Sequence, residues 1–246
     1  MAQTAEPHIK LRGDNMKRQK IIDFHAHILP LADHGSDSLE TSEKQLDILM
    51  SYGVETVVAT PHFYPQRDSV ESFLERRKNS ASLLLSHRNG ERPDIYLGAE
   101  VLVCPGIDHM PGLERLCVEG TDVILLEMPF NSWREEHIEA VSRMARSGFK
   151  VIMAHIDRYP EKDVIKLLSE CDVLCQINGK TQATLMGRKK VKRLLQDFPC
   201  VAVGSDLHGD DKRAVKNLLS LAKRFEKAGI NAYGKTKDLL ENAKSI

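Results

Sequence analysis

Eight residues of this sequence have side chains that could ligate metal ions, and each follows a short apolar run: His25, His27, His62, Glu100, Glu127, His155, Asp206 and His208. Imidazole binds transition metals while neutral at physiological pH, and carboxylate oxygen suits harder divalent ions such as manganese. His25 and His27 close the run Ile21-Ile22-Asp23-Phe24. Residues i and i+2 of a strand share a face, so both rings project together. The other histidines, His8, His34, His87, His109 and His137, fall in a tail, loops or helices. One strand-end histidine is ordinarily a loop residue bonded to backbone, but that gives no reason for a set of them to track strand ends. Eight nitrogen and oxygen ligands exceed a single tetrahedral zinc site. They suit two or three divalent ions, with Glu127 and Asp206 as bridging carboxylates. Ligand type alone does not choose among Mn, Fe and Zn.

These side chains need a scaffold that gathers strand ends. Apolar runs predict strands at Lys20–His25, Val54–Ala59, Ile95–Leu97, Asp122–Leu126, Lys150–Ala154, Val173–Ile177 and Val201–Gly204. Amphipathic stretches between them predict helices. The first starts at Asp37, with Glu40 completing a capping box, and stops at Gly53. Others run near Ser69–His87, Arg134–Ser147, Glu161–Ser169, Gln182–Leu195, Asp211–Ala228 and Lys235–Lys244. Alternating strands and helices imply a mainly parallel α/β sheet. Seven units, each delivering a polar residue at a strand's C-terminal end, fit a closed or nearly closed TIM-like (β/α) barrel, where active sites form at that end. A doubly wound open sheet is the alternative, and it gathers only the loops at its switch point.

Composition narrows the function. The chain has 246 residues, 41% hydrophobic and 28% charged, with 35 basic and 35 acidic side chains. This zero balance gives no support for a nucleic-acid partner or membrane insertion. No apolar run approaches the ~20 residues of a membrane helix. Residues 1–19 lack an apolar signal region and read as a disordered tail, leaving 20–246 as one domain. The five cysteines are irregularly spaced and read as buried free thiols of a cytoplasmic protein. There is no Cys-x5-Arg loop, no Asp-x-Asp pair and no phosphate-cradling glycine loop.

Six segments in order carry a resemblance: His25-Ala26-His27-Ile28-Leu29-Pro30, Ala59-Thr60-Pro61-His62, Gly98-Ala99-Glu100, Leu126-Glu127-Met128-Pro129, Ala154-His155-Ile156-Asp157-Arg158-Tyr159 and Gly204-Ser205-Asp206-Leu207-His208. Together they resemble the PHP (polymerase and histidinol phosphatase) superfamily. More closely, they resemble its manganese-dependent protein tyrosine phosphatases of bacterial capsular and exopolysaccharide loci. The resemblance runs from about residue 20 to 225 and implies a distorted (β/α)7 barrel with a metal centre of two or three Mn2+, Fe or Zn being alternatives. It implies the eight residues above as metal ligands, and Arg158 and Arg213 as phosphate-binding groups. It implies action on a phosphotyrosine-bearing protein, such as the tail of a bacterial tyrosine kinase, in control of exopolysaccharide or capsule synthesis. A homo-oligomer is compatible with it. One departure stands out: the family's Asp-Asp-Gly reads Asp33-His34-Gly35, so its metal-binding aspartate falls on His34. Either His34 ligates with one negative charge fewer, or Asp33 substitutes through a loop shift.

The expected chemistry is hydrolysis of a phosphomonoester by metal-activated water, with the arginines on the phosphoryl oxygens and His208 as ligand or proton donor. Competing readings are a phosphatase of histidinol phosphate or another small molecule, and a non-catalytic metal-binding regulatory module. A metal-dependent amidohydrolase is disfavoured because strand four ends in Glu127 where those enzymes commonly carry lysine.

Overall fold

In the computed structural model, residues 20–87, 93–130 and 133–242 are described; the expected tail, 1–19, lies outside them. The strands are β1 (Ile21–Ala26), β2 (Val54–Ala59), β3 (His62–Phe63), β4 (Asp94–Leu97), β5 (Glu100–Leu102), β6 (Val123–Glu127), β7 (Lys150–Met153), β8 (Leu174–Asn178) and β9 (Cys200–Gly204). The helices are α1 (Leu39–Ser51), α2 (Val70–Ser86), α3 (Glu135–Arg146), α4 (Glu161–Glu170), α5 (Leu185–Asp197), α6 (Lys212–Lys227) and α7 (Ala232–Glu241). All ladders between these strands are parallel, in the orders β1-β2-β4 and β3-β5-β6-β7-β8-β9.

Two expected strands, Val54–Ala59 and Ile95–Leu97, are each followed by a further short strand that was not expected. The chain breaks at Thr60-Pro61 and at Gly98-Ala99, then pairs again as β3 and β5. Proline has no N–H for the ladder, and Glu100 N–H instead reaches the Pro61 carbonyl at 3.1 Å. His62 and Glu100 therefore open short strands of their own. Since β2 leads into β3 and β4 into β5, seven strand segments follow one another around a distorted (β/α)7 barrel, as expected.

No continuous ladder joins β9 back to β1. The seam is held by an isolated bridge between Ala26 and Leu207 and by two backbone bonds, His27 N–H to Leu207 O (3.1 Å) and Asp206 N–H to His25 O (2.8 Å). Asp23 completes it, its Oδ1 accepting the backbone N–H groups of Ser205 (2.8 Å) and His25 (3.3 Å). Here a side-chain oxygen stands in for a ladder carbonyl, where the β1–β2 register also shifts.

The helices pack outside the strands through periodic apolar faces, such as Val215, Leu218, Leu221 and Phe225 of α6, all fully buried. Burying each such Leu or Phe stabilises the fold by roughly 1.5–3 kcal/mol. A second apolar cluster comes mainly from strands: Ile22, Phe24, Val58, Leu125, Ile152 and Ala202. It fills the barrel interior. Leu239 and Leu240 of α7 join it, and Thr236 Oγ1 donates to Val201 O, so α7 plugs the end where the strands begin.

Three helix starts differ from expectation: α5 begins at Leu185 and not Gln182, α7 at Ala232 and not Lys235, and α1 has a different cap. Ser38, not Asp37, caps α1, accepting the Thr41 N–H; Asp37 instead accepts from the Ser38 and Thr41 hydroxyls. The nearer hydroxyl takes the cap, and the capping box with Glu40 does not form; Glu40 pairs with Lys44.

Candidate metal centre

The opposite mouth of the barrel is polar. His25 and His27, fully buried, bring their Nε2 atoms to 3.1 Å from each other. Glu100, from β5, lies beneath several rings. Its Oε2 is 3.2 Å from His25 Nε2, 3.3 Å from His27 Nε2 and 3.0 Å from His62 Nδ1, and its Oε1 is 2.7 Å from His155 Nε2. Asp206 Oδ1 is 3.5 Å from His27 Nε2 and 3.7 Å from His25 Nε2. Glu127 Oε1, about one-fifth exposed (21%), stands 3.4 Å from His155 Nε2.

Hydrogen bonds outside this cluster fix which ring nitrogens face it. Gln176 Oε1 accepts the His155 backbone N–H at 2.7 Å, which settles the orientation of that amide. The same oxygen lies 3.3 Å from His25 Nδ1, so Nδ1 carries the proton and Nε2 presents a lone pair. Gln176 Nε2 then donates to Asn178 Oδ1 (2.7 Å), and Asn178 Nδ2 to Asp206 Oδ2 (3.0 Å). Asp33 Oδ2 accepts a hydrogen bond from His27 Nδ1–H at 2.7 Å, so in the neutral ring His27 Nε2 is an acceptor too.

The centre is therefore a convergence of acceptors. His25 Nε2, His27 Nε2, Glu100 Oε2 and Asp206 Oδ1 crowd together with no donor of their own among neutral rings. Unneutralised buried acceptors at such distances repel. His62 Nδ1 and Glu100 Oε2 are buried and 3.0 Å apart, yet neither has a hydrogen-bond partner. They point at shared space. Four overlapping triads have ligand atoms within 4.8 Å of one another: His27–His62–His208, His25–His27–Asp206, His25–Glu100–His155 and His62–Glu100–Glu127. The donor set fits more than one divalent ion.

Protons can neutralise the cluster as well. Burial opposes charge on His27, but hydrogen bonds to Asp206, Asp33 and Glu100 raise its pKa well above the usual imidazole range. His155 is raised to about 9; burial works against this, and the carboxylates of Glu100 and Glu127 outweigh it. Burial likewise works against the charged carboxylates, yet Glu100 is held low by His25 and His155, Asp206 by His27, His25 and Arg158, and Asp33 by His27. Asp23, whose Oδ2 has no hydrogen-bond partner, is pushed up to about 6 by burial.

Local backbone aims two of these groups. His155 and Asp206 both sit in the left-handed region, at φ of 33° and 52°. Such conformations cost about 1–3 kcal/mol in non-glycine residues and cluster at functional sites. Gly204 is required beside them: a Cβ there would lie 2.4 Å from Gln176 Nε2 and 2.7 Å from His25 Cβ.

The remaining candidates occupy the rim. Arg158 ends a 3-10 turn (Ile156–Arg158), is about one-third exposed (35%), and pairs through Nη2 with Asp206 Oδ2. His208 Nδ1 faces the Asp206 carbonyl at 3.1 Å, so its buried, unpartnered Nε2 offers a lone pair. That suits a ligand better than a proton donor. Burial, with the His27 charge, lowers the His208 pKa to about 4. His34 is exposed and lies outside the four triads; its ring stacks on His62 (4.9 Å, 9°) and lies 4.8 Å from His208. Asp33 does not swing in to replace it, since it also accepts the backbone N–H groups of Gly35 and His62. Arg213 is exposed in the first turn of α6, and its side chain makes no hydrogen bond or ion pair among the described residues.

Comparison with known proteins agrees with this geometry. The family described as capsular polysaccharide synthesis, CpsB/CapC, matches residues 21–246. The chain belongs to this family. It is 25% identical over 201 residues to the tyrosine-protein phosphatase YwqE of Bacillus subtilis (strain 168), covering 76% of this chain and 77% of that one. A solved structure from work on YwqE of Bacillus subtilis and CpsB of Streptococcus pneumoniae, described as unique metal-dependent tyrosine phosphatases, superposes with a TM-score of 0.73. That match is 21% identical and covers 92% of this chain and 96% of the other.

Sequence reading missed the orienting residues. Gln176 was legible in principle, as a polar residue inside the apolar run Val173–Ile177. A polar side chain buried in a strand must find a partner. Asn178, just past that run, carried no such signal. The described helices include none long and apolar enough to cross a membrane. The five cysteines are free, four of them buried.

Proposed function

We propose that this protein is a metal-dependent tyrosine phosphatase that removes phosphate from phosphotyrosine in a protein tail, such as that of a bacterial tyrosine kinase, and so regulates capsule or exopolysaccharide synthesis. The observation that carries the reading is the convergence of His25, His27, Glu100 and Asp206 beside the one-third-exposed guanidinium of Arg158. Family membership and the likeness to YwqE support the same substrate class.

When bound, divalent ions supply Lewis-acid polarisation of the phosphoryl oxygens and an activated water. His25, His27, His62, Glu100, Glu127, His155, Asp206 and His208 would hold them, two ions or three, with manganese preferred and iron or zinc as alternatives. His34, at the rim, is placed to add a nitrogen beside His62 and His208. Arg158 exchanges Asp206 for the substrate: its planar fork binds phosphoryl oxygens and stabilises their charge as the ester bond breaks. Arg213, exposed in the first turn of α6, is the second cation that the family resemblance assigns to the phosphoryl group. A phenolate is a good leaving group, so the mechanism needs no proton donor, in keeping with His208 as a ligand.

The test is phosphate release from a phosphotyrosine peptide and, in parallel, from histidinol phosphate. The protein is stripped with chelator and reloaded with Mn, Fe or Zn. Activity on the peptide that returns with metal, highest with Mn, is the expected result. Selective turnover of histidinol phosphate would move the protein to a small-molecule role. Folded, metal-loaded protein inactive on both would overturn the reading.

A further inference from the structure

The basic helix α5 carries Arg188, Lys189, Lys190, Lys192 and Arg193, a run whose simplest explanation is a solvated face. Lys190 does something else. Its ammonium donates to the carbonyl of Asp157 at 2.7 Å and to that of Tyr159 at 3.1 Å, the two residues that flank Arg158. Two of its three protons thus grip the backbone on either side of the rim guanidinium.

The rest of that turn is tied from the same direction. Asp157 is buried and accepts the Asn178 backbone N–H at 2.9 Å and the Thr181 hydroxyl. Tyr159 is anchored on the far side, its hydroxyl accepting the Met128 N–H (3.0 Å) and donating to the Met128 carbonyl (3.2 Å). Lys190 is itself set by α5, whose neighbouring side chains are engaged: Arg188 Nε donates to Gln182 O, and Arg193 pairs with Glu161. Without Lys190, the Asp157 and Tyr159 carbonyls lose a charged donor, and the turn loses its tie to α5.

We infer that Lys190 is a positioning residue for Arg158, fixing the turn that presents its guanidinium to a phosphoryl group. The inference rests on the phosphatase reading only in assigning Arg158 to phosphate. A guanidinium fork is useful only at the right distance and angle, and misplacement by about 1 Å can cost up to roughly a hundredfold. Lys190 itself touches no reacting atom.

The experiment is a double-mutant cycle on the metal-loaded full chain, with Lys190→Met, Arg158→Met and the pair. It reads competitive inhibition by inorganic phosphate and the separate KM and kcat for a phosphotyrosine peptide. Lys190→Met is expected to raise the phosphate inhibition constant and KM by about tenfold or more, with metal content unchanged. In the Arg158→Met background it is expected to add almost nothing. Additive effects, or an unchanged inhibition constant in the single variant, overturn the inference. If Arg158→Met alone leaves phosphate inhibition unchanged, the assignment of Arg158 fails instead. Should Lys190→Met not fold, Thr181→Val loosens the same turn through Asp157 and is expected to shift KM and the inhibition constant in the same sense, by less. No shift in that variant then counts against the inference.

Discussion

Asp33 Oδ2 lies 2.7 Å from His27 Nδ1 and so decides which nitrogen of His27 faces the metal centre. The carboxylate sits behind the ring, orients it and raises its basicity, so it would act on a bound metal only through His27. Removing such partners typically costs 10–100-fold in metal affinity. Asp33→Asn is expected to weaken metal binding by about that factor while the protein stays folded. Calorimetric titration of the stripped protein checks it, and an unchanged affinity would show that the ring needs no orientation from Asp33.

Metal and proton compete for the same nitrogens. The surrounding carboxylates raise the pKa of His27 well above the usual imidazole range and that of His155 to about 9, so each ring favours its proton more than a free imidazole does. Metal binding at pH 7 is expected to release protons, and affinity to rise with pH through that range. Titration in buffers of different ionisation enthalpy measures the release; heats independent of buffer would contradict it. For the metal-free fold the sign is opposite. Groups raised above their ordinary 6.5 stabilise the folded chain at low pH, and that stability fades as pH climbs through the folded value.

Gly204 leaves no room for a methyl group between Gln176 and His25. Gly204→Ala is expected to destabilise the protein by about 1–3 kcal/mol, as overpacked cores do, and to weaken metal binding as well, because Gln176 and His25 must move apart. Thermal melts with and without metal separate the two effects. A wild-type melting temperature in both would mean the strands yield freely.

Away from the centre, Asp108 is bound by Arg143, with Nε at 2.6 Å from Oδ2. Burial pushes the Asp108 carboxyl up, but Arg143 outweighs it and the pKa is lowered. The stability this gives is present above the unfolded carboxylate value and lost as pH falls through the folded one. Asp108→Asn is expected to lower the melting temperature at pH 7, the gap closing toward pH 3. A gap independent of pH would point to packing in place of charge.

Much of this was legible in the chain. Apolar runs ending in His25, Glu127, His155 and Asp206 marked both the strands and the side chains that converge at one mouth, because a barrel places strand ends together. The breaks at Thr60-Pro61 and Gly98-Ala99 were not, since the pairing that resumes at His62 and Glu100 depends on neighbouring strands distant in sequence. Gln176 stood out as a polar residue in an apolar run, but its partner His25 did not, and Asn178, which reaches Asp206, carried no local signal at all. Lys190 was hidden for another reason: a lysine in a basic helix looks the same whether its ammonium meets water or two carbonyls.

The seam between β1 and β9 joins the first strand of the barrel to the last, and it brings His25 and His27 to Asp206. On the ribosome, most of the chain must emerge before these side chains can meet. The cluster is thus completed only when residues near both ends of the barrel are in place. Contacts of such long sequence separation also slow folding. Closure of this cluster therefore reports that the first and last strands of the barrel have found each other.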